Sequence, residues 1–535
     1  PEPSPIEPEP STPEEPDDEL AQKESVETEE PPAEPIEPAA EATAPPSEEL
    51  PSLPANWSPP ISMSSPNASW FPTLAVDDRG HVHVTWCDTL DGVRQTDEQV
   101  YYTRWDGLQW LPPNDIVPPS PDIERHAIAI DPAGNLHLLV GGSVGSYGHL
   151  SLAHTHAPID RAGDASAWSP LRRITDRASY MGDIAIDPDG VIHVIYDQQV
   201  ANKVEIEGEI FEASSSDIYY RRSSDGGRTW SVPLNLYPSE ETGSARPQLY
   251  IDSTGGLHVT FDEGWDRLSG DGEPHHGVYL TSDDGGQTWR EPYIVAHPVP
   301  GAMQLTAAAD GQGGVMLVWR AQESDQIYWQ WSGDAGQTWG EPGTIPGLYS
   351  RRVDDTPFDL YGMTADGAGR IHLLVVARLD PSFDSPLDLY YLVWNGAGWS
   401  EPWSIHGQGG APEYPRLVSS HGNRLHAVWF TRDAVYSEEQ IRLIWYAHRQ
   451  VDAPYIPPPP SPTPTATPTR TPSPDSLSRP TPFPTLIMGG SGLPRDLESE
   501  RDDLILLGKA MVPVAGLMLL TLLTRYAIRR RKRST

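Results

Sequence analysis

The residues Asp252-Ser253-Thr254-Gly255, running on into Leu257-His258-Val259, pair a tight turn with a short strand that carries one histidine among apolar neighbours. Asp can accept backbone N–H groups in such a turn, and Gly supplies the positive φ it needs. The pattern recurs along the chain. Asp77-Asp78-Arg79-Gly80 precedes Val82-His83-Val84, Asp131-Pro132-Ala133-Gly134 precedes Leu136-His137-Leu138, and Asp187-Pro188-Asp189-Gly190 precedes Ile192-His193-Val194. Later copies are Asp310-Gly311-Gln312-Gly313 before Val315-Met316-Leu317 and Asp366-Gly367-Ala368-Gly369 before Ile371-His372-Leu373, with a degenerate Ser420-His421-Gly422 before Leu425-His426-Ala427. From His to His, with Met316 standing in once, the steps are 54, 56, 65, 58, 56 and 54 residues. Seven units of this length, each with several short strands, predict an all-β, seven-bladed propeller of four-stranded antiparallel blades.

Units one to six end in a tryptophan followed shortly by proline: Trp110, Trp168, Trp230, Trp289, Trp339 and Trp399. The seventh unit stops after its third strand, and the missing ending stands at the start of the repeats as Trp57-Ser58-Pro59-Pro60-Ile61. The N-terminal strand is therefore expected to complete the last blade beside residues 441–447, which removes an exposed edge and ties the ring shut.

Three endings share Ser-x-Asp-x-Gly-x-Thr-Trp. They place Ser223, Asp225, Gly227, Thr229 and Trp230 in one unit, Ser282, Asp284, Gly286, Thr288 and Trp289 in the next, and Ser332, Asp334, Gly336, Thr338 and Trp339 in the third. Eroded forms are Trp105-Asp106-Gly107-Leu108-Gln109-Trp110 and Trp394-Asn395-Gly396-Ala397-Gly398-Trp399. This motif resembles the Asp-box, or BNR, repeat of the sialidase-like propeller superfamily. The resemblance implies that the boxes are structural turns away from the ligand face. Asp225, Asp284 and Asp334 are expected to accept turn N–H groups, while Thr and the largely buried Trp start the outer strand and pack inward.

Outside the repeats the composition changes. The chain of 535 residues has a net charge of −39, and positions 51–450 alone hold 52 acidic and 25 basic residues. Such a surface excludes nucleic acid as a partner, since phosphate binding needs clustered Lys and Arg. The single cysteine, Cys87, permits neither an internal disulfide nor a cysteine-based zinc site. Residues 1–54 read as an acidic Pro/Glu-rich disordered segment, 55–450 as the propeller, and 451–503 as a Pro/Thr-rich stalk and juxtamembrane linker. Residues 504–528 read as one transmembrane helix, because Leu504–Thr524 is an apolar run near the roughly 20 residues a span requires. The basic tail 529–535 is then cytoplasmic and the propeller extracellular at the cell membrane.

Six histidines at one repeat position invite a metal, but equivalent residues of different blades lie too far apart for one ion. They read as packing groups, so no metal and no cofactor is expected. Ligand chemistry is expected where second strands lead to third strands and blade leads to blade. Asp88, Asp197, Asp262 and Glu263 end second strands in the early blades, and Arg320, Arg378 and Arg432 hold similar places later. Arg125, Arg246 and Arg416 begin inner strands, near Tyr180, Tyr361 and Tyr414. Asp88, Asp262, Glu263 and Tyr361 are candidate catalytic groups; Arg320, Arg378, Arg432, Arg246 and Arg416 are candidate ligand-binding groups, or partners of the same carboxylates. Insertions at 197–216, read as a solvated loop or a binding loop, and at 262–276, with Trp265 and His275-His276, enlarge this face.

Two functions follow. One is a cell-surface module that binds a glycan, a surface polymer or a protein. The other is an exo-acting glycoside hydrolase, sialidase-like or otherwise, which the resemblance implies. True sialidases have six blades, an Arg-Ile-Pro triplet, three arginines on the substrate carboxylate, a Tyr/Glu pair and an Asp acid. This chain has seven units and no such triplet. Seven-bladed Asp-box relatives include both enzymes and assembly factors, so fold alone does not choose.

Overall fold

A computed structural model describes residues 57–65, 69–89, 98–117, 123–143, 150–206, 209–239, 242–264, 274–295, 298–322, 324–350, 361–382, 385–407, 410–432 and 441–458. The expected N-terminal acidic segment, the stalk and linker beyond residue 458 and the transmembrane helix lie outside these residues, as does Trp265. Among the described residues no helix is long and apolar enough to cross a membrane; the only helical pieces are two 3-10 turns, Ile159–Arg161 and Ala165–Ala167.

The strands form seven four-stranded antiparallel sheets, each one repeat. Blade one runs Trp70–Val76, Val82–Thr89, Glu98–Trp105 and Asn114–Asp115 from axis to rim. Blade seven runs Ala411–Ser420, Arg424–Arg432 and Arg442–Gln450, and its fourth strand is Ile61–Ser62. Ile61 pairs with Tyr446, Ser62 with Trp445, and Trp57 bridges Arg449, so the N-terminal strand closes the ring as expected. Second strands are mostly buried where they are described; Trp86, Trp319 and Trp429 on them are among the largest fully buried side chains.

Five of the six repeat histidines, all but His137, have one job in common. In the Asp-x-x-Gly turn of blade four, Asp252 Oδ1 accepts the Thr254 and Gly256 N–H groups at 2.8 and 2.9 Å, with Gly255 at φ +88°. Its other oxygen lies 3.3 Å from His258 Nε2, and His258 Nδ1 lies 2.7 Å from Tyr279 Oη on the third strand. Burial alone would raise the Asp252 carboxyl, but the His258 and turn hydrogen bonds hold it far below the usual range. The same relay joins Asp187, His193 and Tyr220, then Asp366, His372 and Tyr391, with Ser420, His426 and Tyr446 as a variant. In blade one Asp77 stands 3.7 Å from His83, which meets Tyr102 at 2.8 Å.

Each relay tyrosine then faces the next blade. Tyr220 meets Trp289 edge-on at 5.1 Å, Tyr279 meets Trp339 at 5.4 Å, Tyr446 meets Trp110 at 4.9 Å, and Tyr391 meets Trp57 at 5.3 Å. Box glycines lie against the same rings: a Cβ on Gly286 would collide with Tyr220 Oη, and one on Gly336 would come 3.0 Å from Tyr279 Cε1. These five histidines are thus packing groups between blades, working through a tyrosine.

Within the boxes Asp225 Oδ1 accepts from Ser223 Oγ and Thr229 N at 2.9 Å, and Oδ2 accepts from Thr229 Oγ1 at 2.7 Å. Asp284 and Asp334 repeat the pattern. Hydrogen bonds from the turn threonines hold all three carboxyls down at about 2. Two expectations need correction. Thr229, Thr288 and Thr338 are exposed, because their hydroxyls are spent on the box Asp in the turn itself. Trp230, Trp289 and Trp339 are half-buried, each standing edge-on to a ring of the preceding blade, His154, Tyr220 and Tyr279 in turn.

The 197–216 insertion is likewise no loop. Ile192–Ile206 and Glu209–Ser223 form one continuous ladder out to the Ile206–Glu209 pair. Antiparallel pairing simply continues past the blade.

Candidate functional site: the axial cavity

Seven inner strands surround the axis, and the strand registers put one residue from each at a common level, opposite the position two residues beyond the repeat His or Met. These are Thr73, Ala127, Asp183, Gln248, Thr306, Gly362 and Arg416. All but Ala127 line a cavity of about 650 Å³ that extends past Tyr250, Thr364 and Val418 to the turns at Gly367 and Gly422. Asp183 in blade three and Arg416 in blade seven face the axis from opposite sides of the ring, and Thr306 Oγ1 donates to Gln248 Oε1 at 2.8 Å. Arg416 is steadied by the Tyr414 ring, 3.6 Å below its guanidinium carbon.

The backbone around the ring is irregular. Inner strands of blades one, two, four, five and seven each slip register just above it. Within four of these bulges Phe71, Arg246, Gln304 and Tyr414 hold φ of +51 to +59°. Side chains this large are uncommon there, and each such residue costs on the order of 1–3 kcal/mol, a strain that concentrates at ligand sites.

Tyr361 also lines the cavity, 2% exposed, and its hydroxyl has no hydrogen-bond partner among the described residues. Burial pushes the phenol well above its usual range, with Arg320 opposing and Asp262 adding to the shift. Behind it Arg246 and Asp262 form a buried ion pair at 3.0 Å, and Asp262 also accepts the Leu305 N–H of the next blade.

The other candidate residues are occupied differently. Arg432 is ion-paired to buried Glu413 in its own blade. Arg378 donates to the Ser382 and Ser350 carbonyls at 2.9 Å and faces Asp325 across a blade boundary at 3.4 Å. Arg320, Arg378 and Arg432 do not share one level: Arg320 lies four residues after Met316, the others six after His372 and His426. Two residues of strand separate them by about 6.6 Å. They are buried and do not line the cavity, so the expected arc of three guanidinium groups is replaced by Arg416 alone, with Arg246 and Arg320 behind Tyr361.

The carboxylates are equally engaged. Asp88 accepts from Ser69 Oγ at 2.6 Å, and Glu263 from Ser239 Oγ at 2.9 Å and from Thr242 and Ser244. Asp197 takes the Tyr180 and Met181 N–H groups at 2.8 Å, yet burial still pushes it up to about 6. Asp183, Gln248, Thr306 and Thr73 escaped the sequence reading. Their signal is a polar residue at one register row of otherwise apolar inner strands, visible only once the bulges are known.

A third group was also missed. His137, His154 and His156 lie together in blade two, where His154 replaces the relay tyrosine at 3.0 Å from His137 Nδ1.

Residues 158–427 match the sequence profile of the BNR repeat-like domain. No curated protein sequence matches the chain. Similar solved structures include the NanB sialidase of Streptococcus pneumoniae, 14% identical over 75% of this chain and 70% of its own, with a TM-score of 0.41. The intramolecular trans-sialidase of Ruminococcus gnavus is 12% identical over 74% and 97%, at 0.42. The polysaccharide lyase Uly1 is 12% identical over 72% and 90%, at 0.48.

Proposed function

The chain belongs to the BNR repeat-like family, and from that premise we propose that its propeller is a carbohydrate-binding module that seats an anionic or polar saccharide in the axial cavity. The carrying observation is the polar ring: Asp183 and Arg416 across the axis, Gln248, Thr73 and Thr306 between them, and above them the Tyr361 hydroxyl, without a partner among the described residues. A carboxylate, amide and hydroxyls around a concave surface suit the many hydroxyls of a sugar, while a guanidinium fork suits a sugar carboxylate.

A glycoside hydrolase is the second reading, and Tyr361 with Arg320 and Asp262 near it is what favours it. Burial pushes that phenol up, opposite to what a nucleophile needs at neutral pH, and Asp88, Asp262 and Glu263 are held by the hydrogen bonds above. Binding therefore comes first.

The module is held at the cell surface by residues 504–528, with the stalk between and the basic tail inside. Support comes from the apolar run and the arginines after it. The described chain leaves blade seven along the turn face: Val451 N donates to Asn423 O at 2.9 Å and Ile456 N to His421 O at 2.8 Å. Protease added to intact cells should release the propeller and spare the tail; a cut tail with an intact propeller reverses the orientation.

For the ligand, the full-length chain is screened on an array of uronic-acid, sialyl and neutral glycans, and the best binder is titrated against Asp183→Asn and Arg416→Gln. A loss of about tenfold or more in affinity at unchanged melting temperature is expected from one good charge-assisted contact. Undiminished binding in both variants puts the ligand elsewhere. Turnover that disappears in Tyr361→Phe while binding persists favours the hydrolase.

A further inference from the structure

Blade two departs from its neighbours at one position. Where blades one, three, four, six and seven end the relay in Tyr102, Tyr220, Tyr279, Tyr391 and Tyr446, it has His154. Two residues further along the same face of the strand stands His156. Blades one and three carry Arg104 and Arg222 there, each reaching a carbonyl of the following blade. Blade two has exchanged a phenol and a guanidinium for two imidazoles.

With His137 these rings converge. His137 Nδ1 lies 3.0 Å from His154 Nε2, and one nitrogen from each of the three rings lies within 4.8 Å of the others. Ring centroids are 5.2, 5.4 and 5.9 Å apart. A tetrahedral ion with bonds of about 2.0–2.1 Å needs its nitrogens roughly 3.3 Å apart, which small ring rotations reach from here.

The surroundings are those of ligating histidines. Asp131 Oδ2 lies 3.1 Å from His137 Nε2, so the carboxylate takes that N–H and leaves the Nδ1 lone pair facing His154. Ser169 Oγ lies 3.1 Å from His156 Nδ1 and orients that ring. His154 is fixed from behind: Trp230 meets it edge-on at 5.4 Å, and a Cβ on Gly227, at φ +80°, would collide with it. His137 and His154 are buried, whereas His156 is half-buried and gives an ion its way in and a water its place as fourth ligand.

We infer that His137, His154 and His156 bind one late first-row divalent cation of the zinc(II) class at the seam between blades two and three. Three neutral imidazoles select this class over calcium or magnesium, which take oxygen ligands. None of the three residues lines the axial cavity, so the site stands or falls apart from the glycan reading.

The test uses the full-length chain without affinity histidines, stripped with chelator and titrated with zinc(II) and with cobalt(II). One equivalent of metal and the intense visible absorption of tetrahedral cobalt are expected. His154→Tyr, which restores the relay used in five other blades, and His156→Gln, at a half-buried position, should each weaken binding by about a hundredfold or more. Should His154→Tyr fail to fold, His156→Gln decides alone. No stoichiometric uptake, or uptake unchanged in His156→Gln, overturns the site and leaves three hydrogen-bonded imidazoles.

Discussion

At the turn face, Asp225, Asp284 and Asp334 stand in water and are held at about 2 by hydrogen bonds from their own turns; at the other end, Asp197 accepts two backbone N–H groups and is nevertheless pushed up to about 6 by burial. The turn-face groups recur with the repeat and serve the seams. The groups around the axis vary from blade to blade, and in four blades the strand that carries them holds a strained residue. Residues that repeat hold the propeller together; residues that vary at one level of the ring are where a ligand would be recognised.

The largest test of that contrast is Arg432. Although it varies between blades, its partner Glu413 is fully buried, so the pair belongs to the framework. Arg432→Ala should cost about 3–5 kcal/mol by leaving a buried carboxylate uncompensated. Denaturant unfolding with binding measured alongside checks it. Full stability with lost glycan binding would return Arg432 to the ligand site.

The seams are tested next by two adjacent glycines. Gly285 at φ +66° has open space around its Cβ position, whereas Gly286 at φ +73° lies against Tyr220. Gly285→Ala should cost about 1 kcal/mol for the left-handed backbone alone. Gly286→Ala should cost about 2–4 kcal/mol, because the tyrosine of the preceding blade must also move. Equal costs would mean that box and relay are not packed as a unit.

These seams were the legible part of the sequence. A turn with positive φ demands Gly, and an Asp that accepts from its N–H groups must stand at a fixed offset, so the period and the closure of blade seven can be counted directly. The axial ring resists counting for a physical reason. In five blades a bulge shifts the inner strand, so alternation no longer says which side chain faces the axis. Arg246 was noticed as an inner-strand arginine, but its φ of +59° and its pairing with Asp262 come from the bulge. Arg320 looked equivalent to Arg378 and Arg432 because all three end second strands. The two-residue offset that separates them appears only in register.

Asp197 sharpens the contrast between the two ends through pH. Its folded value of about 6 exceeds the ordinary 3.8, so the native state binds the extra proton between these values. The stability it contributes is fully present below pH 3.8 and is lost as pH rises through 6. Asp197→Asn keeps the acceptor oxygen for the Tyr180 and Met181 N–H groups and removes the charge. The variant should be more stable than the parent by about 1–3 kcal/mol at pH 7, the gap closing towards pH 4. A variant less stable at pH 7, with the parent's slope retained, would mean that the ionised carboxylate is needed, for example beside Arg125.

Tyr361→Phe gives the smallest change in stability and the clearest separation of the two roles. A buried hydroxyl without a partner costs free energy in the unliganded protein, so removing one oxygen from this site, with the ring and its packing kept, should leave stability unchanged or raise it by up to about 1 kcal/mol. A framework tyrosine behaves oppositely: Tyr279→Phe loses the bond to His258 and should destabilise by about 1 kcal/mol. If the cavity seats a saccharide, the Tyr361 hydroxyl gains its partner on binding, and Tyr361→Phe should weaken the glycan by roughly five- to tenfold while the free protein melts no lower. Calorimetric titration and thermal melts on the same two variants read both quantities. Equal destabilisation of the two would make Tyr361 another packing residue and leave the ring of Asp183, Gln248, Thr306 and Arg416 as the sole basis for a ligand.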